Sequence, residues 1–383
     1  MRQWLFTGFN AFGQHAYKCA DSEERHPLGF REITPPPTAL SGNFLIALSW
    51  RYTAYALGST IWLQGLLEEK VGECLQVQAP ASIKALAAGE TFCLVLLDDG
   101  SLHKLPAKLQ ATLQELRLEA VPATRPQKRN IFGQVKTEAS GDAPIISHIA
   151  CGTHINVAIS ERNGVWSIPS YLHQFPEPRA WRVQQLVCGH EHALLLNANG
   201  DVYGWGNGLR GQLGQATLRV EETPQLLESL AGVKITHIAA GGWHSAAISA
   251  FGDLYTWGFN CNGQLGLRVL KRDSVLKEPT VYPLPQLHDL PLCCSSGDKS
   301  SDQDSVDDNC PPVRVFAGSR HTWLLRRCGR LWASGWCAYG QLSLDCKQSY
   351  LDSFHNLYSV LGLEGDDVDI LCGPWSTLLI CSK

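Results

Sequence analysis

Apolar positions in this chain fall into short unbroken runs bounded by glycine. Three of them read His192-Ala-Leu-Leu-Leu, His244-Ser-Ala-Ala-Ile and His321-Thr-Trp-Leu-Leu. Each run follows a glycine and two variable residues, beginning at Gly189, Gly241 or Gly318, and gives way to a second glycine-containing turn: Asn197 to Gly200, Ala250 to Gly252, or Arg327 to Gly329. A further run follows, Val202-Tyr-Gly-Trp205 or Leu254-Tyr-Thr-Trp257, and stops at Gly206 or Gly258, with Gly335 at the matching place in the third copy. Two short apolar runs around a tight turn predict a β-hairpin. Five residues beyond the closing glycine comes Gly-Gln, at Gly211, Gly263 and Gly340. Glycine at such points suits backbone with positive φ or close approach to a neighbour.

The block recurs as a whole over residues 186–214, 238–266 and 315–343. A repeat of this period is one supersecondary unit that cannot bury its apolar face alone, so copies must stack. Projecting the Gly-x-x-His offset outward finds four worn copies: Ser49-Trp-Arg-Tyr52, Gly89-Glu-Thr-Phe92, Gly152-Thr-His-Ile155 and Gly373-Pro-Trp-Ser376. The last is only the first half of a repeat. The second half stands at the other end of the chain, where Gly8-Phe-Asn-Ala-Phe-Gly-Gln14 matches Gly258-Phe-Asn-Cys-Asn-Gly-Gln264. One unit is therefore expected to be built from both ends, closing a ring and pairing strand edges that would otherwise be open.

The paired signature, Gly-x-x-His turn and WG-x-N-x-x-GQLG block at matching offsets, resembles the regulator of chromosome condensation repeat family. The resemblance is specific over 186–343 and worn elsewhere. It implies an all-β, seven-bladed β-propeller closed by N- and C-terminal strands in one blade, spanning 1–383 with two loop insertions. Rival propellers fit less well: no Trp-Asp pair ends the strands, and a Gly-Gly doublet occurs in register only at Gly241-Gly242.

The insertions are placed at 106–146 and 267–313. The first carries a stretch with helical character, LQATLQELRLEA, and a basic cluster from Arg125 to Arg129. The second ends in a Ser/Asp-rich part near 294–310, which is expected to be disordered because it has almost nothing apolar to bury. Within it Ser301 and Ser305 precede Asp304 and Asp308 by three residues, a spacing that suits acidophilic kinases, so both are candidate phosphorylation sites.

Composition narrows the function classes. A net charge of −4 gives no basic field, which argues against autonomous nucleic-acid binding by counterion release. No run approaches about 18 apolar residues, the length of a membrane-spanning helix, and the N-terminus lacks a signal-peptide core. Of the 14 cysteines, Cys93, Cys151, Cys188 and Cys372 sit in or beside apolar runs, where thiols act as small hydrophobes; all are expected to be free. The absence of an Asn-x-Ser/Thr acceptor agrees with a reducing compartment.

Enzymatic chemistry is sought and not found. The chain has no P-loop, dinucleotide fingerprint, His-Glu-x-x-His or Gly-x-Ser-x-Gly, and no Cys-x₂₋₄-Cys pair for zinc. No cofactor, metal site or catalytic residue is expected. His190-Glu-His192 looks like a ligand pair, but His192, His244 and His321 share one repeat offset. They are read as structural, bonding backbone across the hairpin. Trp205 and Trp257 are read as apolar wedges between blades. Function is expected instead in the variable pairs of the turns, since loops on a rigid ring carry specificity. Trp50, Arg51, His190, Glu191, Trp243, Arg320 and Trp375 are the candidate partner-binding residues; tryptophan and arginine on one rim match hot-spot composition.

The founding family member is an exchange factor for the GTPase Ran, docked on nucleosomes partly through a basic tail. This sequence opens on a blade strand with no such run, and its first three units are worn, so exchange on a Ran-type GTPase is kept as the alternative. The sequence looks more like the short, single-propeller branch, the regulator of chromosome condensation domain-containing proteins. That resemblance implies a non-catalytic adaptor, monomeric on its own and located in the nucleus on chromosomes, with the cytoplasm as a second location. Its implied partner is a JmjC-type oxygenase or histone demethylase, and its implied roles are histone methylation, silencing and chromosome segregation.

Overall fold

A computed structural model describes residues 2–17, 29–34, 44–121, 143–176, 181–269, 280–293, 310–344, 349–359 and 368–382. The chain opens on β1 (Arg2–Gly8), β2 (Ala16–Tyr17) and β3 (Arg31–Thr34). Six four-stranded antiparallel sheets follow in sequence order. Blade 1 comprises β4 (Leu45–Leu48), β5 (Tyr52–Leu57), β6 (Thr60–Leu67) and β7 (Lys70–Gln78). Blade 2 comprises β8 (Ile83–Ala88), β9 (Phe92–Leu97), β10 (Leu102–Pro106) and β11 (Gln114–Glu115). Blade 3 comprises β12 (Ile146–Cys151), β13 (Asn156–Ser160), β14 (Gly164–Ser167) and β15 (Ser170–Gln174). Blade 4 comprises β16 (Val183–Cys188), β17 (His192–Asn197), β18 (Val202–Gly206) and β19 (Glu221–Leu226). Blade 5 comprises β20 (Ile235–Ala240), β21 (His244–Ser249), β22 (Leu254–Phe259) and β23 (Val281–Leu287). Blade 6 comprises β24 (Pro312–Ala317), β25 (His321–Arg326), β26 (Arg330–Trp336) and β27 (Tyr350–Ser359). Finally β28 (Val368–Cys372) and β29 (Ser376–Ser382) join the N-terminal strands in a seventh blade, ordered β28-β29-β1-β3-β2.

The closure expected from the split repeat is present. β1 pairs with β29 along its whole length, from Arg2 opposite Ser382 to Gly8 opposite Ser376. The turn after β1 also folds as its internal copy does. Asn10 Oδ1 accepts from His15 N as Asn260 Oδ1 accepts from Leu265 N, and Gln14 Oε1 accepts from Phe12 N as Gln264 Oε1 accepts from Asn262 N.

The core is distributed over the seven junctions between neighbouring blades. Leu194 and Leu196 pack with Ile238 and Trp257 of blade 5, whereas Leu195 between them packs with Val157, Ile159 and Val165 of blade 3. The two faces of β17 thus meet different neighbours. Such a strand is apolar on both faces, which is why its sequence is an unbroken run instead of an alternation. The same holds for β21 and β25, buried at all their positions.

Three expectations change. The stretch read as helical, 109–120, forms no helix: after a turn at 109–110, Gln114 and Glu115 pair with Lys104 and His103, and Leu116 N donates to Leu102 O at 2.8 Å. The open edge of β10 takes these bonds, and Leu116 and Leu118 cover the blade 2–3 junction. Likewise β23 lies inside the stretch taken as the second insertion and supplies the outer strand of blade 5. Its Pro283 and Pro285 sit on that outer edge, where a missing N–H costs nothing. The thiol expectation changes too, because Cys337 is in a disulfide. Ser301, Ser305 and the basic cluster at 125–129 also lie outside them.

Candidate functional site

Seven turns meet at one mouth of the ring. In each, the first residue's N–H donates to the carbonyl three residues on: Ser49 to Tyr52, Gly89 to Phe92, Gly152 to Ile155, Gly189 to His192, Gly241 to His244, Gly318 to His321 and Gly373 to Ser376, at 2.7–3.0 Å. The worn copies therefore keep the turn although they have lost its histidine. Together the turns and the ends of the inner strands enclose an axial cavity of about 310 Å³. Cys151, Cys188 and Cys372 contribute to its wall. Burial raises all three thiols, Cys372 to about 12, so they are inert at neutral pH.

The repeat histidines sit beneath this mouth, fully buried. Their partner is not the backbone of their own hairpin but the hydroxyl that follows the histidine position in the next blade. His192 Nε2 meets Ser245 Oγ at 2.9 Å, His244 Nε2 meets Thr322 Oγ1 at 2.9 Å, and His321 Nε2 meets Thr377 Oγ1 at 3.3 Å. Each hydroxyl donates in turn to the carbonyl of a repeat glutamine, Gln212, Gln264 or Gln341. With its proton committed there, the hydroxyl must accept from the ring, so each histidine carries a proton on Nε2. Burial pushes all three down to about 3. In blade 1 Tyr52 stands at the histidine position and reaches Gly89 O of blade 2 with its own hydroxyl, at 3.1 Å.

Trp205 packs into the blade 3–4 junction and Trp257 into the blade 4–5 junction, where its Nε1 donates to Gln212 O at 2.9 Å. Gly258 has φ of 105°, and a β-carbon there would come within 2.5 Å of Trp243 O. The equivalent Gly206 is at 103°, while Gly211 and Gly263 are both at 76°.

The variable turn residues form a continuous rim with residues the repeat pattern had not singled out. The residue after each strand-closing glycine donates its N–H to the last variable residue of the turn: Phe9 to Trp375, Asn207 to Glu191, Phe259 to Trp243 and Trp336 to Arg320, at 2.8–2.9 Å. That register lays Phe9, Phe259 and Trp336 beside the turns. Trp50 contacts Phe12, Phe12 contacts Phe9, Phe9 contacts Tyr339, and Tyr339 meets both Trp336 and Trp375, with ring centroids 4.9–6.1 Å apart. The Arg320 guanidinium stands 5.8 Å from Trp243 and 5.9 Å from both Trp336 and Trp375, and its Nη1 donates to Asn262 Oδ1. Arg210 lies 4.0 Å over Trp243 and 5.4 Å from Phe259.

His190 closes this arc. Its Nδ1 is 2.6 Å from Thr153 Oγ1 and its ring packs edge-on to Trp243 at 5.1 Å. Burial holds the imidazole below its usual range; Glu191 opposes this, and Arg320 and Arg210 reinforce it. Glu191 accepts from Asn207 Nδ2 at 3.0 Å. Arg51 is half-buried at the same mouth, and Trp50 is 39% exposed. The signal that could have found Phe9, Phe12, Arg210, Phe259, Trp336 and Tyr339 is positional: they occupy two fixed offsets in the second half of the repeat.

Comparison with known proteins agrees with this architecture. Two models of the regulator of chromosome condensation (RCC1) repeat match, one over residues 199–248 and 252–325, the other over 183–212 and 235–264. The chain is 32% identical to the RCC1 domain-containing protein 1 of Homo sapiens, over 98% of this chain and 95% of that protein. It is 37% identical to the Mus musculus protein of the same name, with the same coverage. Among solved structures, Prp20p of Saccharomyces cerevisiae, described with its binding properties to Gsp1p and histones, superposes with a TM-score of 0.68 at 16% identity, covering 100% of this chain and 92% of that one. Seven blades in a closed ring, the recurring turn and near full-length similarity place this chain in the RCC1 repeat family.

Proposed function

We propose that this protein is a non-catalytic propeller adaptor that docks a protein partner on the rim around the axial mouth. The observation that carries the reading is the rim itself: half-buried indole and phenyl groups, interleaved with Arg210 and Arg320, outside the seven junctions that hold the ring together. Those arginines are ordered in advance by their aromatic neighbours and by Asn262, so less side-chain freedom is lost when a partner's carboxylate arrives. The family resemblance supplies the setting: the nucleus, chromatin, and a JmjC-type oxygenase or histone demethylase as the candidate partner, with histone methylation and chromosome segregation as the processes served. Protein binding by the family's propellers, as described for Prp20p with Gsp1p and histones, supports the coarser part of this reading.

The test is an affinity capture from nuclear extract with the wild-type protein and with Trp243→Ala and Arg320→Ala. Loss of the same partner from both variants supports the rim; an unchanged partner set moves the contact elsewhere. A second reading, guanine-nucleotide exchange on a Ran-type GTPase, is favoured by the shared fold with Prp20p. Labelled-nucleotide release from a GTPase panel decides it, since no acceleration at micromolar protein removes that reading.

A further inference from the structure

Three thiols that are remote in sequence converge at the blade 5–6 junction. Cys293 follows the outer strand of blade 5, Cys310 precedes β24, and Cys328 sits in the turn between β25 and β26. Their sulfur atoms all lie within 4.8 Å of one another. Cys293 Sγ and Cys328 Sγ are 3.5 Å apart, and the Cys328 backbone N–H donates to Cys310 Sγ at 3.2 Å. Cys293 and Cys310 are buried within the junction core, and Cys328 packs against it.

We propose that Cys293, Cys310 and Cys328 form a thiolate site for Zn²⁺ that ties together the two chain ends flanking residues 294–309. A tetrahedral ion with zinc–sulfur bonds of about 2.3 Å needs its sulfurs about 3.8 Å apart, which falls within the observed spread. Binding displaces the thiol protons to solvent and leaves the fourth position to a ligand outside this set. An N–H donated to a sulfur, as Cys328 donates to Cys310, is the kind of outer contact that steadies a metal-bound thiolate.

A second observation points the same way. Three thiolates on one divalent ion carry a net negative charge, and the junction already holds a buried cation, stacked on Trp332 at 4.6 Å but with no carboxylate partner among the described residues. Arg326 is 2% exposed, its Nη1 donates to Pro291 O at 2.8 Å, and its Nε has no hydrogen-bond partner among the described residues. Arg330 Nη1 donates to the carbonyl of Cys293 itself. A buried guanidinium is costly until an anion compensates it, and a zinc–thiolate centre at this place is such an anion. Sequence spacing hides the site because Cys310 and Cys328 are 18 residues apart and Cys293 and Cys328 are 35 apart, far outside a zinc-knuckle interval.

The experiment uses the full chain, reduced and equilibrated with zinc, then freed of excess metal. One equivalent of zinc by elemental analysis is expected, together with a thiolate-to-cobalt charge-transfer band when Co²⁺ replaces it. Cys293→Ser and Cys328→Ser each lose the bound equivalent and the band, while Cys74→Ser, at an exposed thiol elsewhere, keeps both. Circular dichroism of each variant confirms that the ring is folded. Absence of stoichiometric metal in the wild type overturns the proposal. So does a band unchanged in both site variants, or recovery of Cys293 and Cys328 as a disulfide from reducing buffer.

Discussion

His192, His244 and His321 are rings that solvent does not reach, each spanning from one blade to the next. Their neutrality makes stability depend on pH. Folding lowers each from the ordinary 6.5 to about 3, and His15 is lowered equally where it meets Tyr55 and Thr53 of blade 1. His237 and His288 fall to about 4 by burial, with Arg314 adding to the effect at His237. Below the unfolded value the unfolded chain binds protons that the folded chain refuses. Stability is therefore full above about pH 6.5 and falls as pH drops toward the folded values, by up to roughly 1.4 kcal/mol per unit for each ring. The unfolding free energy from denaturant titrations should fall between pH 7.5 and 5 by on the order of 10 kcal/mol over the six rings; a flat profile would show that these rings titrate normally. Removing one ring, in His244→Ala, is expected to cost about 2–4 kcal/mol, from the lost bond to Thr322 and the cavity left behind. A urea titration of that variant measures it. The histidine position was legible because it recurs at one offset. Its partner was not, because Thr322 lies 78 residues away and meets the ring only once the blades stack.

Among the elements, β1 contributes more than its seven residues suggest. It buries Trp4, Leu5 and Phe6 in the junctions on either side of blade 7 and satisfies the whole edge of β29. Burying three such side chains stabilises by roughly 5–9 kcal/mol, comparable with the entire stability of an ordinary domain at about 5–15 kcal/mol. Deleting residues 1–14 is thus expected to open the ring, seen as a melting temperature lowered by well over ten degrees or as loss of the cooperative transition. An unchanged melting temperature contradicts the closure. That pairing could be read from the chain because residues 8–14 copy 258–264. The strand at Gln114–Glu115 could not, since its apolar spacing fits a helix and only the open edge of β10 selects the extended form.

At the scale of the whole molecule, the ring divides its aromatic residues between two tasks. Trp205 and Trp257 are sealed in junctions, whereas Trp50, Trp243, Trp336 and Trp375 gather on the rim. Trp243→Ala should leave the protein folded, with a loss of about 1–3 kcal/mol from its contacts with Arg210 and His190, while abolishing partner capture. Trp257→Ala should do the reverse and lower the melting temperature first. Thermal unfolding and capture measured on the same two samples separate the roles; equal behaviour in both assays would deny the division.

The chain's own periodicity determined the inner hairpins, the number of blades, the split blade and the seven turns, because these rest on local hydrogen bonds and on a run of apolar residues facing two neighbours. Tertiary structure alone decided what stands next to what. It set Arg320 among three indoles from blades 5, 6 and 7, joined each repeat histidine to a hydroxyl of the next blade, and drew Cys293, Cys310 and Cys328 to one junction. A repeat fixes the geometry of one unit, whereas contacts between units come from the rotation that relates them, and that rotation exists only when the ring is closed.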